Sequence, residues 1–369
     1  MKNVRRILMN LKPYRGETSR VELARLLGVP PDYILPLHAN ENLFIDEEWV
    51  KENIVEALKR IDPRMYPDPQ NVEVCEVLAQ HYGVHKEEVV IGNGADELID
   101  GISRCFIENG DTVVTLDPTF QVYELSATLY GGVHKSVLLR GDFSIDTEHL
   151  LNVVGDAKLI YICSPNNPTG NQHEESVIRE VLENTNSIIV LDEAYVEFAD
   201  KSLSGLIHEY ENLIVLRTFS KAFGIAGLRF GVALSNPESA DFMRRVLQPY
   251  NVNSIAQYTV LSLLDNWEYV AGKIEEVKRE REKLRRDLSR IEGIRVYPSK
   301  ANFLLVRVIR EDIDATTVQG KLMEKGILVR DRSNLPLLGN CLRITVCPKP
   351  MSERLILALK EVLSGENEL

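Results

Sequence analysis

The chain has 369 residues, 44% hydrophobic and 27% charged, a composition that excludes disordered and collagen-like classes and leaves room for one large domain plus a smaller one. Its 55 acidic against 43 basic side chains give a formal charge of −12, which argues against a nucleic-acid or anionic-membrane surface. An anionic substrate would need a local cationic pocket working against that field.

The first stretch, "MKNVRRILMNLKPYRGETSR", has too short an apolar run for a signal peptide or a spanning helix. Five scattered cysteines (Cys75, Cys105, Cys163, Cys341, Cys347) form no C-x-x-C pair and read as reduced thiols of a cytoplasmic protein. No residue is assigned to a metal.

From about residue 88 to 235, short apolar runs alternate with helical stretches: "EVVIGNG", "DTVVTLDP", "KLIYICSP", "SIIVLDEA", "LIVLRTFS", "FGVALSNP". Such continuous runs fit strands buried on both faces of a mostly parallel sheet, an α/β architecture. After "QPYNVNS" comes a long helix containing "KIEEVKREREKLRRDLSRI", whose interleaved charges read as a solvated face. Beyond it, "RVYPSKANFLLVRV", "GILVRD" and "CLRITV" read as strands, and "DATTVQGKLMEKG" and "MSERLILALKEVLS" as helices, of a smaller α+β domain. The expected boundaries are 42–251 for the large domain, with 1–41 and 252–369 forming an N-terminal arm and the small domain.

Ligands of open α/β sheets sit outside the carboxyl ends of the strands, so the residues after each run carry the functional argument. "GNGADE" turns on Gly92 and Gly94 into a helix whose first amides, at Ala95 and Asp96, suit a phosphate. "DPTF" places Phe120 at the next strand end, "SPNNPTG" places Asn167, "DEAY" places Asp192 and Tyr195, and "SKAFGIAGLR" places Ser220, Lys221 and Arg229. Each has a plainer reading: a Gly-x-Gly turn is commonly only a turn, Phe120 core, Asn167 a turn cap, Asp192 a helix cap, Lys221 a solvated lysine. Together they supply what an aromatic, phosphate-bearing aldehyde cofactor needs. That set is an amine for an imine, a carboxylate for the ring nitrogen, polar groups for a phenolic oxygen, an aromatic face, and cationic and amide donors for a phosphate.

"SPNNPTG", "DEAY" and "SKAFGIAGLR" resemble the signatures of the pyridoxal-phosphate aminotransferases of fold type I, in which a large domain with a mostly parallel, seven-stranded sheet joins a smaller α+β domain. "HANEN" (38–42), "YPDPQ" (66–70), "QPYNVNS" (248–254) and "CLRITV" (341–346) resemble the histidinol-phosphate aminotransferases in particular, in order over essentially the whole chain. The resemblance implies pyridoxal 5'-phosphate as cofactor, with Lys221 as Schiff-base lysine and general base, and Asp192 at the pyridinium nitrogen. It puts Asn167 and Tyr195 at the phenolic oxygen, and Ser220, Arg229, Ala95 and Asp96, after Gly94, at the phosphate. Phe120 takes a stacking position where relatives often have tyrosine.

By the same resemblance, Arg343 grips the substrate carboxylate, Arg330, Tyr14 and Asn42 contact substrate, and Tyr66 reaches the cofactor phosphate of a neighbouring subunit. The implied protein is a homodimer with shared active sites, acting on small molecules (histidinol phosphate with glutamate or 2-oxoglutarate) and on neither nucleic acid nor membrane. Open alternatives are a broad aromatic aminotransferase, a phospho-amino-acid decarboxylase, and a non-catalytic cofactor-binding regulator.

Overall fold

A computed structural model describes residues 4–9 and 18–364. The first strand, β1 (Leu35–Pro36), is short and buried. The large sheet follows as β2 (Val89–Gly92), β3 (Thr112–Asp117), β4 (Val133–Leu138), β5 (Leu159–Cys163), β6 (Ile188–Asp192), β7 (Leu213–Thr218) and β8 (Gly231–Ser235). Their order across the seven-stranded sheet is β2-β8-β7-β6-β5-β3-β4. Only β8 runs against its neighbours β2 and β7; the remaining pairs are parallel.

Every residue of β5, β7 and β8 is buried, as their unbroken apolar runs predict for strands covered by helices on both faces. The six apolar runs singled out in the sequence all form strands of this sheet. Strand β4, "VHKSVL", was absent from that set: it is the edge strand, mostly exposed, and its polar residues dilute the apolar signal that a central strand carries.

The second sheet holds β9 (Ile294–Val296), β10 (Phe303–Val308), β12 (Arg330–Asp331) and β13 (Cys341–Thr345) in the antiparallel order β12-β13-β10-β9. Between them β11 (Ile327–Leu328) pairs in parallel with β1, so the chain's N-terminal part is bonded to its C-terminal part. The expected helices appear at Ala315–Glu324 and Lys349–Ser364, and the charged segment lies in a 22-residue helix, Trp267–Leu288. Its Val270, Ile274, Val277, Leu284 and Leu288 are buried, at helical spacing; the solvated-face expectation fails at Arg281, which is buried with them and donates from Nη1 to the Phe198 and Ala301 carbonyls.

One hydrophobic cluster runs from the large sheet through the 267–288 helix into the small sheet, including Leu191, Val215, Ile274, Leu305 and Ile344. The two sheets are thereby packed as one body, and the carboxyl ends of β2, β3, β5, β6 and β7 face the small sheet.

Candidate active site

A cavity of about 320 Å³ opens where those strand ends meet the small sheet. Among the sequence candidates, Ala95, Asp96, Phe120, Asn167, Asp192 and Tyr195 line it, and so do Ser220, Lys221, Arg229, Arg330 and Arg343. Five cationic side chains and two carboxylates are in its wall, a local reversal of the chain's net −12. That is the cationic pocket an anionic substrate requires.

At one end, Gly94 precedes the helix Ala95–Phe106 with φ +81°, and no side chain caps that helix. A Cβ on Gly94 would lie 2.5 Å from Nη2 of Arg229, so only glycine lets the guanidinium close over the helix start. Gly231 matters for the same reason: its Cβ would sit 2.6 Å from the amide nitrogen of Ala95. Arg229 reaches Asp96 with Nη2 at 2.8 Å from Oδ2. Helix-start amides, Ser220 and this guanidinium form a phosphate-sized set of donors.

At the other end of this wall, Asp192 closes β6 and is 4% exposed. Its Oδ1 accepts from the Ala194 amide at 2.9 Å and its Oδ2 from the Tyr123 hydroxyl at 2.5 Å. Burial raises its carboxyl above the ordinary range, and these two donors oppose that rise. The next residue, Glu193, turns away from the cavity to pair with Arg217 at 3.2 Å, as strand alternation requires.

Lys221 donates from Nζ to the Ala39 carbonyl at 2.9 Å, and its ammonium lies 5.9 Å from the Tyr195 ring centroid. Burial first, then Arg343 and Arg229, bring its amine from 10.5 down to about 8, against the pull of Glu41 and Asp96. Tyr195 is buried and its hydroxyl, pushed up to about 12 chiefly by burial, accepts from Nδ2 of Asn40 at 2.9 Å.

Across the cavity, Arg343 of β13 donates from Nη1 to Oδ1 of Asn167 at 2.6 Å, and from Nη2 to the His38 carbonyl. Arg330 is its direct partner in the β12–β13 register, so both project from one face of the sheet. His38, pinched between burial and these two guanidiniums, has its imidazole lowered to about 4 and is neutral at physiological pH.

Several residues were missed by sequence reasoning. Arg332 lines the cavity and is 8% exposed; standing two residues after Arg330, it could have been found from the period-2 rule. His38 and Asn40 lie inside the quoted "HANEN", yet their roles follow only from the packing of that segment across both sheets. Tyr123 carries no local signal at all.

Three candidates stand elsewhere. Asn42 is not in the cavity wall: its Nδ2 donates to the Ala222 carbonyl at 2.8 Å and its Oδ1 accepts from the Phe44 amide at 3.1 Å, which makes it a brace of the lysine loop within this chain. Tyr66 is 80% exposed and stacks on Tyr250 at 4.6 Å, outside its own chain's cavity. Tyr14 lies outside the described residues.

Known proteins resemble this chain along its length. It is 41% identical to the histidinol-phosphate aminotransferase of Thermoanaerobacter pseudethanolicus over 90% of this chain and 93% of that one. It is 35% identical to the protein of the same name from Methanocaldococcus jannaschii over 98% of each. The crystal structure of histidinol-phosphate aminotransferase from Sinorhizobium meliloti in complex with pyridoxal-5'-phosphate superposes with a TM-score of 0.89 at 28% identity, covering 99% of this chain and 98% of that one. The family model described as aminotransferase class I and II matches residues 33–359, and the chain belongs to that family.

Proposed function

We infer that the chain is a pyridoxal-phosphate-dependent aminotransferase that moves the amino group of L-histidinol phosphate to 2-oxoglutarate, giving imidazole-acetol phosphate and glutamate. One observation carries the reading: a single cavity joins a lysine, a buried carboxylate and a phosphate-sized donor set on one wall to three arginines, Arg330, Arg332 and Arg343, on the other. The resemblance to proteins of that name over nine-tenths of the chain supports the substrate.

The residues fit the cofactor by their chemistry. Gly94 leaves a cradle that any Cβ would fill, and around it Ser220, Arg229 and the amides of Ala95 and Asp96 would hold the phosphate. Phe120 offers the ring face, Asp192 a counter-charge for the ring nitrogen, and Asn167 and Tyr195 polar contacts for the phenolic oxygen. When bound, the cofactor supplies an electron-withdrawing ring that acidifies the α-proton of the amino substrate. Lys221, its amine near 8, has a neutral fraction at physiological pH large enough to take that proton and return it on the other side of the exchange. Arg343, positioned by Asn167 and the His38 carbonyl, serves a carboxylate of glutamate, while Arg330 and Arg332 answer the phosphate of histidinol phosphate.

We read residues 42–251 as the cofactor-binding domain and 1–41 with 252–369 as the smaller one, because the large sheet lies within 89–235, the small sheet within 294–345, and β1 bonds to β11. We read the assembly as a homodimer with shared sites, since Tyr66 is 80% exposed and stacks on Tyr250 outside its own chain's cavity, where it is open to a second copy of the chain. Among the described residues no helix is long and apolar enough to cross a membrane, in keeping with a cytoplasmic enzyme.

The deciding experiment is a transamination assay of histidinol phosphate, phenylalanine and tyrosine, each with 2-oxoglutarate. A kcat/KM for histidinol phosphate at least tenfold above both amino acids supports the reading; equal values favour a broad aromatic aminotransferase.

A further inference from the structure

Asp192 has two jobs that conflict. It must be ionised to act on a cationic ring nitrogen, yet it is 4% exposed, and burial together with the Asp96 charge favours its neutral form. The structure resolves the conflict with Tyr123, on the helix Val122–Leu129, whose hydroxyl donates to Oδ2 at 2.5 Å while the Ala194 amide holds Oδ1. A fully buried phenol is an expensive choice for mere filling, since phenylalanine has the same shape and no polar group to desolvate.

The Tyr123 ring is locked in place. It stacks on Tyr161 with centroids 4.5 Å apart and planes 8° from parallel, and it meets Phe120 edge-on at 5.6 Å and 85°. Its hydroxyl is therefore fixed beneath Asp192, and the same ring touches both Phe120 and Asp192. Tyr161 is a natural control, being equally buried and stacked but with its hydroxyl 3.4 Å from Ser103 rather than at the carboxylate.

We propose that Tyr123 is a positioning residue of the active site, which holds the Asp192 carboxylate ionised and aimed into the cavity and ties that aim to the Phe120 face. This rests on the reading of the cavity as a pyridoxal-phosphate site. The other groups facing Asp192 are Lys221, Asp96, Cys163, Tyr161 and Tyr195; of these only Lys221 favours its charge. Without the Tyr123 hydroxyl, the carboxylate takes up its proton at a higher pH, so the ionised form is confined to more alkaline conditions.

The test uses the full-length protein reconstituted with pyridoxal phosphate labelled with ¹⁵N in the ring. For Tyr123→Phe the ring-nitrogen shift should move towards the unprotonated value, the acid limb of kcat should move to higher pH, and kcat should fall about tenfold to a hundredfold with KM changed less than about threefold. Tyr161→Phe should leave the ring-nitrogen shift and the pH profile as in the wild type. If Tyr123→Phe keeps the wild-type shift and acid limb, the residue only packs, whatever its kcat, and the proposal fails. Should that variant not fold, 3-fluorotyrosine at 123 preserves shape with a more acidic phenol; the acid limb should then move to lower pH, and no movement overturns the proposal. Wild-type protein that takes up no pyridoxal phosphate would instead sink the functional reading itself.

Discussion

On the large-sheet side of the cavity, Asp192, Ser220 and Lys221 stand at the ends of β6 and β7, central strands with neighbours on both sides and buried along almost their whole length. On the small-sheet side, Arg330 and Arg332 stand on and just after β12, a two-residue strand at the edge of its sheet with one neighbour, β13. The first wall cannot shift without disturbing a packed core; the second rests on few ladder bonds and on long guanidinium side chains. Chemistry shared by every substrate belongs on the rigid wall, and discrimination between substrates on the wall that can be retuned. In such a division, changes to the first wall should damage both half-reactions alike, and changes to the second should separate them.

The largest effect is expected at Lys221. Lys221→Ala should lower kcat by about 10,000-fold with either amino substrate, the upper range for a general base. Cofactor should still bind through Ser220, Arg229 and Asp192, as an absorbance titration would record; borohydride should fix the cofactor to Lys221 in the wild type only, and a label mapped to another lysine would refute the assignment. Asp192→Asn comes next. Its kcat should drop by about 100- to 1,000-fold in both half-reactions, more than cofactor affinity drops, because the charge acts most when negative charge enters the ring. Single-turnover rates and cofactor titration measure the two quantities separately, and near-native turnover would remove Asp192 from the mechanism.

Arg330→Ala sharpens the comparison directly. Losing one charge-assisted contact of about 1.5 to 3 kcal/mol should cut kcat/KM for histidinol phosphate by roughly tenfold to a hundredfold while glutamate changes little. Equal losses would mean that Arg330 serves the common carboxylate, and the division between the walls would break down.

The smallest effect is on stability and needs no substrate. Lys221 has its amine lowered from 10.5 to about 8, so between those values the unfolded chain binds the proton that the folded chain has released. Stability of the cofactor-free protein should therefore rise with pH across that window, and below about 8 the buried charge is a full cost. Lys221→Met should stabilise the cofactor-free protein below pH 8 by on the order of 2 kcal/mol, discounted for the lysine's partial exposure, with the gain fading towards pH 10.5. Denaturant unfolding at pH 7 and pH 10 measures it; a gain independent of pH would show that the ammonium is not buried at a cost.

The order of residues alone was enough for six of the seven strands of the large sheet and for the wall built on them. Strands buried on both faces need continuous apolar runs, and in a parallel sheet the residues after those runs converge at one edge, so Asp192, Asn167, Ser220 and Lys221 could be placed together without coordinates. Strand β4 escaped because an exposed edge has no need of such a run. Tertiary packing alone decided the rest. Nothing local says that Tyr123 lies under Asp192, that Asn40 meets Tyr195 across 155 positions, or that Arg343 meets Asn167 across 176. These contacts join segments whose own patterns are satisfied by helix, loop or strand, and they exist only because the two sheets and the strap at 38–42 close on one cavity. Side-chain hydrogen bonds between distant elements leave no periodicity behind, so they are visible only where the chain has already folded.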